Sequence, residues 1–126
     1  MSYSLGYDEG YKCVFCDKMY ELDELNENSG SSWKCPVCGK YIRIAAPQLC
    51  SGHIKIRKKA KELREFESIN LAGANEFYTV LGITELVDGK LIIGLKNYGS
   101  IKVEKDEFVD VIDGAYVEKI WNKRNI

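Results

Sequence analysis

Four cysteines stand at positions where thiolate chemistry at one metal ion is the first reading. Cys13 and Cys16 close the stretch Cys13-Val14-Phe15-Cys16-Asp17-Lys18, and Cys35 and Cys38 close Cys35-Pro36-Val37-Cys38-Gly39-Lys40. Eighteen residues separate the two C-x-x-C pairs. Two such pairs at this distance suit a tetrahedral site of four thiolates. Two residues between cysteines let a tight turn aim both sulfurs at one point, and backbone N–H groups in the turn can donate to the thiolates. Gly39 and Asp17 follow the second cysteine of each pair, where the chain must leave the turn. Glycine accepts positive φ freely there, and aspartate accepts it better than most residues. Pro36 pre-sets φ inside the second turn.

On these motifs, residues 11–44 resemble a zinc ribbon of the rubredoxin-like type. The resemblance implies a small antiparallel sheet, with a knuckle at the end of each of two hairpins and one structural zinc held by Cys13, Cys16, Cys35 and Cys38. It implies nothing specific about function, since ribbons occur in polymerase subunits, ribosomal proteins, enzymes and adaptors. Asp17 departs from the commoner glycine of the first knuckle.

Other chemistries of the four thiols remain open. Disulfides form in oxidising compartments, but the N-terminus carries no secretory signal. Iron is chemically allowed at a four-thiolate site. A redox C-x-x-C needs only one pair and a strand–helix setting. Catalytic zinc is disfavoured, because four thiolates leave no position for water. The fifth cysteine, Cys50, precedes the single histidine, His53, at C-x-x-H spacing. Two ligands do not complete a second site, so they read as a free thiol and an exposed histidine in a linker.

The 126 residues carry a net charge of −1, with 45% hydrophobic residues. That suffices for one ordinary domain or two very small ones. No apolar run is long enough to span a bilayer. Unpaired cysteines without a signal point to the reducing cytoplasm. Lysine outnumbers arginine more than threefold, with frequent Ile and Asn, a weak sign of an AT-rich bacterial or phage genome.

The elements that would position the site follow from periodicity. Residues 1–10 read as a tail, 11–46 as the ribbon, 47–74 as a linker with a helix, and 75–126 as a small β-domain. Inside the ribbon, residues 21–32 are acidic, then Gly/Ser/Asn-rich, and read as a solvated loop. Trp33 is expected to pack over the sheet, and residues 41–44 form a strand. Pro47 and Gly52 punctuate the next stretch. Ile56, Ala60, Leu63 and Phe66 then recur at three- and four-residue spacing, which predicts a helix over 54–70 with Ser51 as N-cap and Gly73 as terminator. A short strand is the alternative at its start, because Ile54 and Ile56 alternate with Lys55 and Arg57.

Downstream, residues 77–84 are rich in β-branched and aromatic residues. Asp88-Gly89 predicts a hairpin turn before a strand at 91–95. Asn97-Tyr98-Gly99 marks a further turn. Ile101 and Val103 belong to a third strand and residues 108–112 to a fourth. Tyr116, Val117, Ile120 and Trp121 fit one side of a short C-terminal helix. The expected fold is therefore mainly β: a zinc ribbon, a basic amphipathic helix, and a meander resembling a small SH3-like or Tudor-like barrel over residues 76–113. An open sheet backed by the helix is the alternative.

The charge of the expected helix is uneven. Lys55, Arg57, Lys58, Lys59, Lys61 and Arg64 crowd its first half, where cations oppose the helix dipole. They are candidate contacts for phosphates or for an acidic protein surface, or simply a solvated face. Residues 65–113 carry ten Asp/Glu against four Lys, which places any phosphate contact on the helix and ribbon instead. There Lys34, Lys40 and Arg43 add charge, and Phe15, Trp33 and Tyr41 could stack on bases or build the ribbon's small core. No phosphate loop or nucleophile elbow is present. The carboxylate pairs Asp23/Glu24 and Asp106/Glu107 lie in polar turns. A non-catalytic binding protein is expected: an adaptor or inhibitor docking on a larger machine (a polymerase, ribosome or defence complex), with nucleic-acid binding as the alternative.

Overall fold

The computed structural model describes residues 8–28, 33–48, 52–71 and 76–115. The protein is mainly β. Nine strands are hydrogen-bonded in the order β2-β1-β3-β4-β9-β5-β6-β7-β8, and every pairing with a defined register is antiparallel. The described residues fall into two compact units, one drawn from Arg57–Ile112, the other from the described residues before Arg57 together with residues 113–115.

The cysteine-bearing unit is built on β1 (Gly10–Cys13), β2 (Lys18–Tyr20), β3 (Arg43–Ala46) and the first half of β4 (His53–Lys59). β1 lies between β2 and β3, with Tyr11 opposite both Tyr20 and Ile44. Ile42, Ile44 and Leu25 are fully buried. Trp33 is only 4% exposed, and its ring sits 5.9 Å from that of Tyr11, so the indole is core as expected.

The expected solvated loop is partly a helix. α1 spans Leu22–Asn28. Its start is capped by Glu24, whose Oε1 accepts the Glu21 N–H at 3.0 Å, while Asp23 and Glu24 suit the positive end of the helix. Leu25 is buried and Leu22 half-buried, and two apolar residues over one short helix give too little periodicity to be read in a sequence.

In the other unit, β5 (Ser68–Asn70), β6 (Phe77–Glu85), β7 (Leu91–Leu95) and β8 (Gly99–Val103) form an antiparallel meander. β9 (Phe108–Ala115) returns beside β5. Ile69, Val80, Ile93 and Val109 are its fully buried apolar centre. The turns match expectation. Gly89 has φ of 87° and Asn97 of 62°, and Leu86 and Lys90 close the first hairpin at 2.8 Å.

The expected connecting helix over 54–70 is not formed. That segment is β4, a single 3-10 turn at Ala60–Glu62, and β5. The strand alternative at its start is the correct one. Lys55, Arg57 and Lys59 share one side of β4, where helical spacing would have scattered them. Ile56, Ala60 and Leu63 are buried as the helical pattern implied, but Phe66 is exposed at φ of 71°. Their three- and four-residue spacing arises from a strand running into a turn. The expected barrel is not formed as a closed sheet either; β8 ends the strand order. Ser51, Gly73 and the expected C-terminal helix lie outside the described residues.

Candidate metal centre

The two knuckles converge. The Sγ atoms of Cys13, Cys16, Cys35 and Cys38 all lie within 4.8 Å of one another. Cys13 and Cys38 are 3.5 Å apart, and Cys16 and Cys35 are 3.9 Å apart. Bonds of about 2.3 Å from a tetrahedral ion place neighbouring sulfurs about 3.8 Å apart. The four sulfurs thus fit one metal ion, and none is joined in a disulfide.

Local backbone explains the convergence. Cys13 ends β1 and Cys16 sits in the β1–β2 turn, where its N–H reaches Cys13 Sγ at 3.3 Å. In the second knuckle Val37 N–H, two residues on, reaches Cys35 Sγ at 3.4 Å. Asp17 and Gly39 leave their turns at φ of 56° and 75°, as their residue types predict. The second knuckle is tied at its base, where Cys35 N–H donates to Lys40 O at 2.7 Å and Ile42 N–H to Trp33 O at 3.1 Å.

Tyr20 joins the site without having been legible in the sequence. Its hydroxyl lies 3.4 Å from Cys35 Sγ, and both groups are buried. Burial by itself would raise the Cys35 pKa. Hydrogen bonds from Tyr20 and from the Cys38 and Val37 N–H groups outweigh it and bring the thiol to about 6. The same contact raises the Tyr20 pKa. Cys16 is pushed up to about 12, first by its hydrogen bond with Cys38 and then by desolvation.

The six candidate contact cations differ in placement: two are buried, two half-buried and two exposed. Lys55 and Arg57 are buried, so neither presents its charge to a partner. Lys55 Nζ pairs with Asp8 at 3.0 Å, and Arg57 Nε pairs with Asp110 at 2.6 Å. Lys58 meets Glu67 at 2.7 Å. Lys59 and Lys61 reach Asp106 at 3.8 and 3.1 Å. The Lys61 hydrogen bond, followed by its charge, lowers the Asp106 pKa. Arg64 is exposed and, among the described residues, its side chain forms no ion pair.

No protein-family model matches the chain, and no curated protein or solved structure does. The likeness to a zinc ribbon rests on the cysteine cluster and its knuckles.

His53 lies in β4, and burial lowers its pKa. It is no member of the cysteine cluster, and Cys50 lies outside the described residues. Tyr41 is half-buried under Lys34, whose Nζ is 5.1 Å from the ring centroid. Phe15 is 58% exposed. Among the described residues no helix is long and apolar enough to cross a membrane.

Proposed function

We propose that the protein is a non-catalytic zinc-binding module of the bacterial or phage cytoplasm that acts through protein contacts, as an adaptor or inhibitor of a larger machine. The observation that carries this reading is the engagement of the central cations. Phosphate binding needs charge at the surface, yet Lys55 and Arg57 are buried against carboxylates, and Lys58, Lys59 and Lys61 have their own acidic partners.

Zinc is favoured by four soft donors at tetrahedral spacing. Cys13, Cys16, Cys35 and Cys38 would hold it. Four thiolates saturate such an ion, so its contribution is folding energy for a unit too small to bury a large core. We read the β9-β5-β6-β7-β8 succession as a meander able to curl in the manner of an SH3-like barrel. The register shift between Val80 and Gly82 supports this, since bulges bend a strand.

The test is a pull-down of tagged, zinc-loaded protein from lysate with and without nuclease. The reading expects protein partners that persist after nuclease. Recovery of nucleic acid, or partners lost on nuclease treatment, would replace it with nucleic-acid binding.

A further inference from the structure

We propose that the cysteine cluster is a peroxide-operated switch, in which Cys38 is oxidised first and is then joined to Cys13 across the two knuckles, leaving too few ligands to hold zinc. This rests on the four-thiolate zinc reading and goes beyond a purely structural role for the metal.

Access decides where oxidation begins. A peroxide must reach the sulfur it oxidises, so exposed thiolates react first. Of the four ligands only Cys38 is exposed. Cys16 is half-buried, and Cys13 and Cys35 are buried.

Distance and hydrogen bonding decide which sulfur completes the reaction. Cys13 Sγ already lies 3.5 Å from Cys38 Sγ. Donors stabilise a thiolate and weaken its attack. Cys35 Sγ lies against the Tyr20 hydroxyl and the Val37 N–H, both at 3.4 Å. Cys13 Sγ accepts from the Cys16 N–H at 3.3 Å. Cys13 is thus near its target and less restrained than Cys35. Burial also shields it from outside reagents, so the intramolecular reaction is the one open to it.

The chemistry balances with hydrogen peroxide as oxidant. The Cys38 thiolate attacks one peroxide oxygen, the O–O bond breaks and hydroxide leaves, which makes Cys38 a sulfenic acid. The Cys13 thiolate then attacks the Cys38 sulfur, the S–O bond breaks and a second hydroxide leaves. Two thiolates have lost two electrons, and the peroxide has gained them. Cys16 and Cys35 remain, two ligands where a closed site needs four. The new bond ties residues 25 apart in the chain, so the knuckles stay joined. A thiol reductant reverses the step.

The experiment treats the zinc-loaded full chain with hydrogen peroxide. Free zinc is followed with a colorimetric chelator, and disulfides are located by tryptic mapping without reduction. Lys12 and Lys18 frame the first knuckle, and Lys34 and Lys40 the second. The two C-x-x-C pairs therefore fall in separate peptides, which only a cross-knuckle bond can link. The expected result is loss of zinc in step with a linked pair that fragments as Cys13–Cys38. Dimedone should trap the sulfenic acid at Cys38, and a thiol reductant with added zinc should restore the metal. Cys50→Ser should give the same bond and the same release. Zinc retained under peroxide, a bond within one knuckle, a bond to Cys50, or no release from Cys50→Ser would overturn the proposal. Protein that holds no zinc before treatment would overturn the zinc reading together with the switch. Zinc-loaded protein that keeps its metal under peroxide would remove the switch alone.

Discussion

Replacing Asp110 by alanine should be among the most damaging single substitutions in the unit that holds it. Arg57 and Asp110 are both wholly inaccessible to solvent, with Nε and Oδ1 2.6 Å apart. Alanine would leave a buried guanidinium without its carboxylate. An arginine does not lose its proton, so the charge stays buried and loses the carboxylate of Asp110 that offsets its desolvation. Removing one partner of such a pair costs about 3–5 kcal/mol. A small domain has about 5–15 kcal/mol in total. At about 4–8 °C per kcal/mol for a domain of this size, the melting temperature should fall by at least about 12 °C. The double replacement Arg57→Met with Asp110→Leu removes both charges and keeps volume, so it should lie near wild type or above it. Urea unfolding followed by circular dichroism, run on wild type, both single variants and the double variant, gives the full cycle. A loss below about 1 kcal/mol in Asp110→Ala, or a double variant as unstable as the worse single, would refute the reasoning about buried charge.

Three further outcomes are expected. Tyr20→Phe keeps the ring but removes the hydroxyl beside Cys35 Sγ; metal affinity in chelator competition should fall about tenfold or more, as for other outer-shell partners. Leu25→Ala should cost about 2–5 kcal/mol, because Leu25 is the buried anchor of α1; a change within about 0.5 kcal/mol, the size of a neutral surface substitution, would mean that α1 is not docked. His53 should titrate below its ordinary 6.5 by proton NMR, since burial opposes its charged form. With a depressed folded pKa the unfolded chain binds the proton first, so the stability tied to His53 is complete above about 6.5 and is lost as pH falls through the folded value. A midpoint at or above 6.5 would contradict its half-buried placement.

The cysteine cluster was legible because its determinants are local. Cysteine spacing, Gly39 and Asp17 each act within a few residues, and their left-handed φ angles are what those residue types favour. The hairpin turns at Asp88-Gly89 and Asn97 were legible for the same reason. The segment after Gly52 was not. Its apolar residues fit a helix, and its cations suited a solvated face. What decided the matter was tertiary: Asp8 and Asp110, far away in sequence, neutralise Lys55 and Arg57 and allow both to lie inside a strand. Propensity and periodicity carry no record of such partners. Tyr20 escaped notice likewise, since its contact with Cys35 is made by pairing β2 against β1.

The central claim is that four thiolates hold one zinc ion. Its most direct test is elemental analysis of the purified protein and of its Cys38→Ser variant, after dialysis against a mild chelator. Cys38 is exposed, so its replacement removes a ligand with little loss of packing. One zinc per chain in wild type, and well below one in the variant, is the predicted result. No bound metal in wild type, iron in place of zinc, or a full complement in Cys38→Ser would contradict the account.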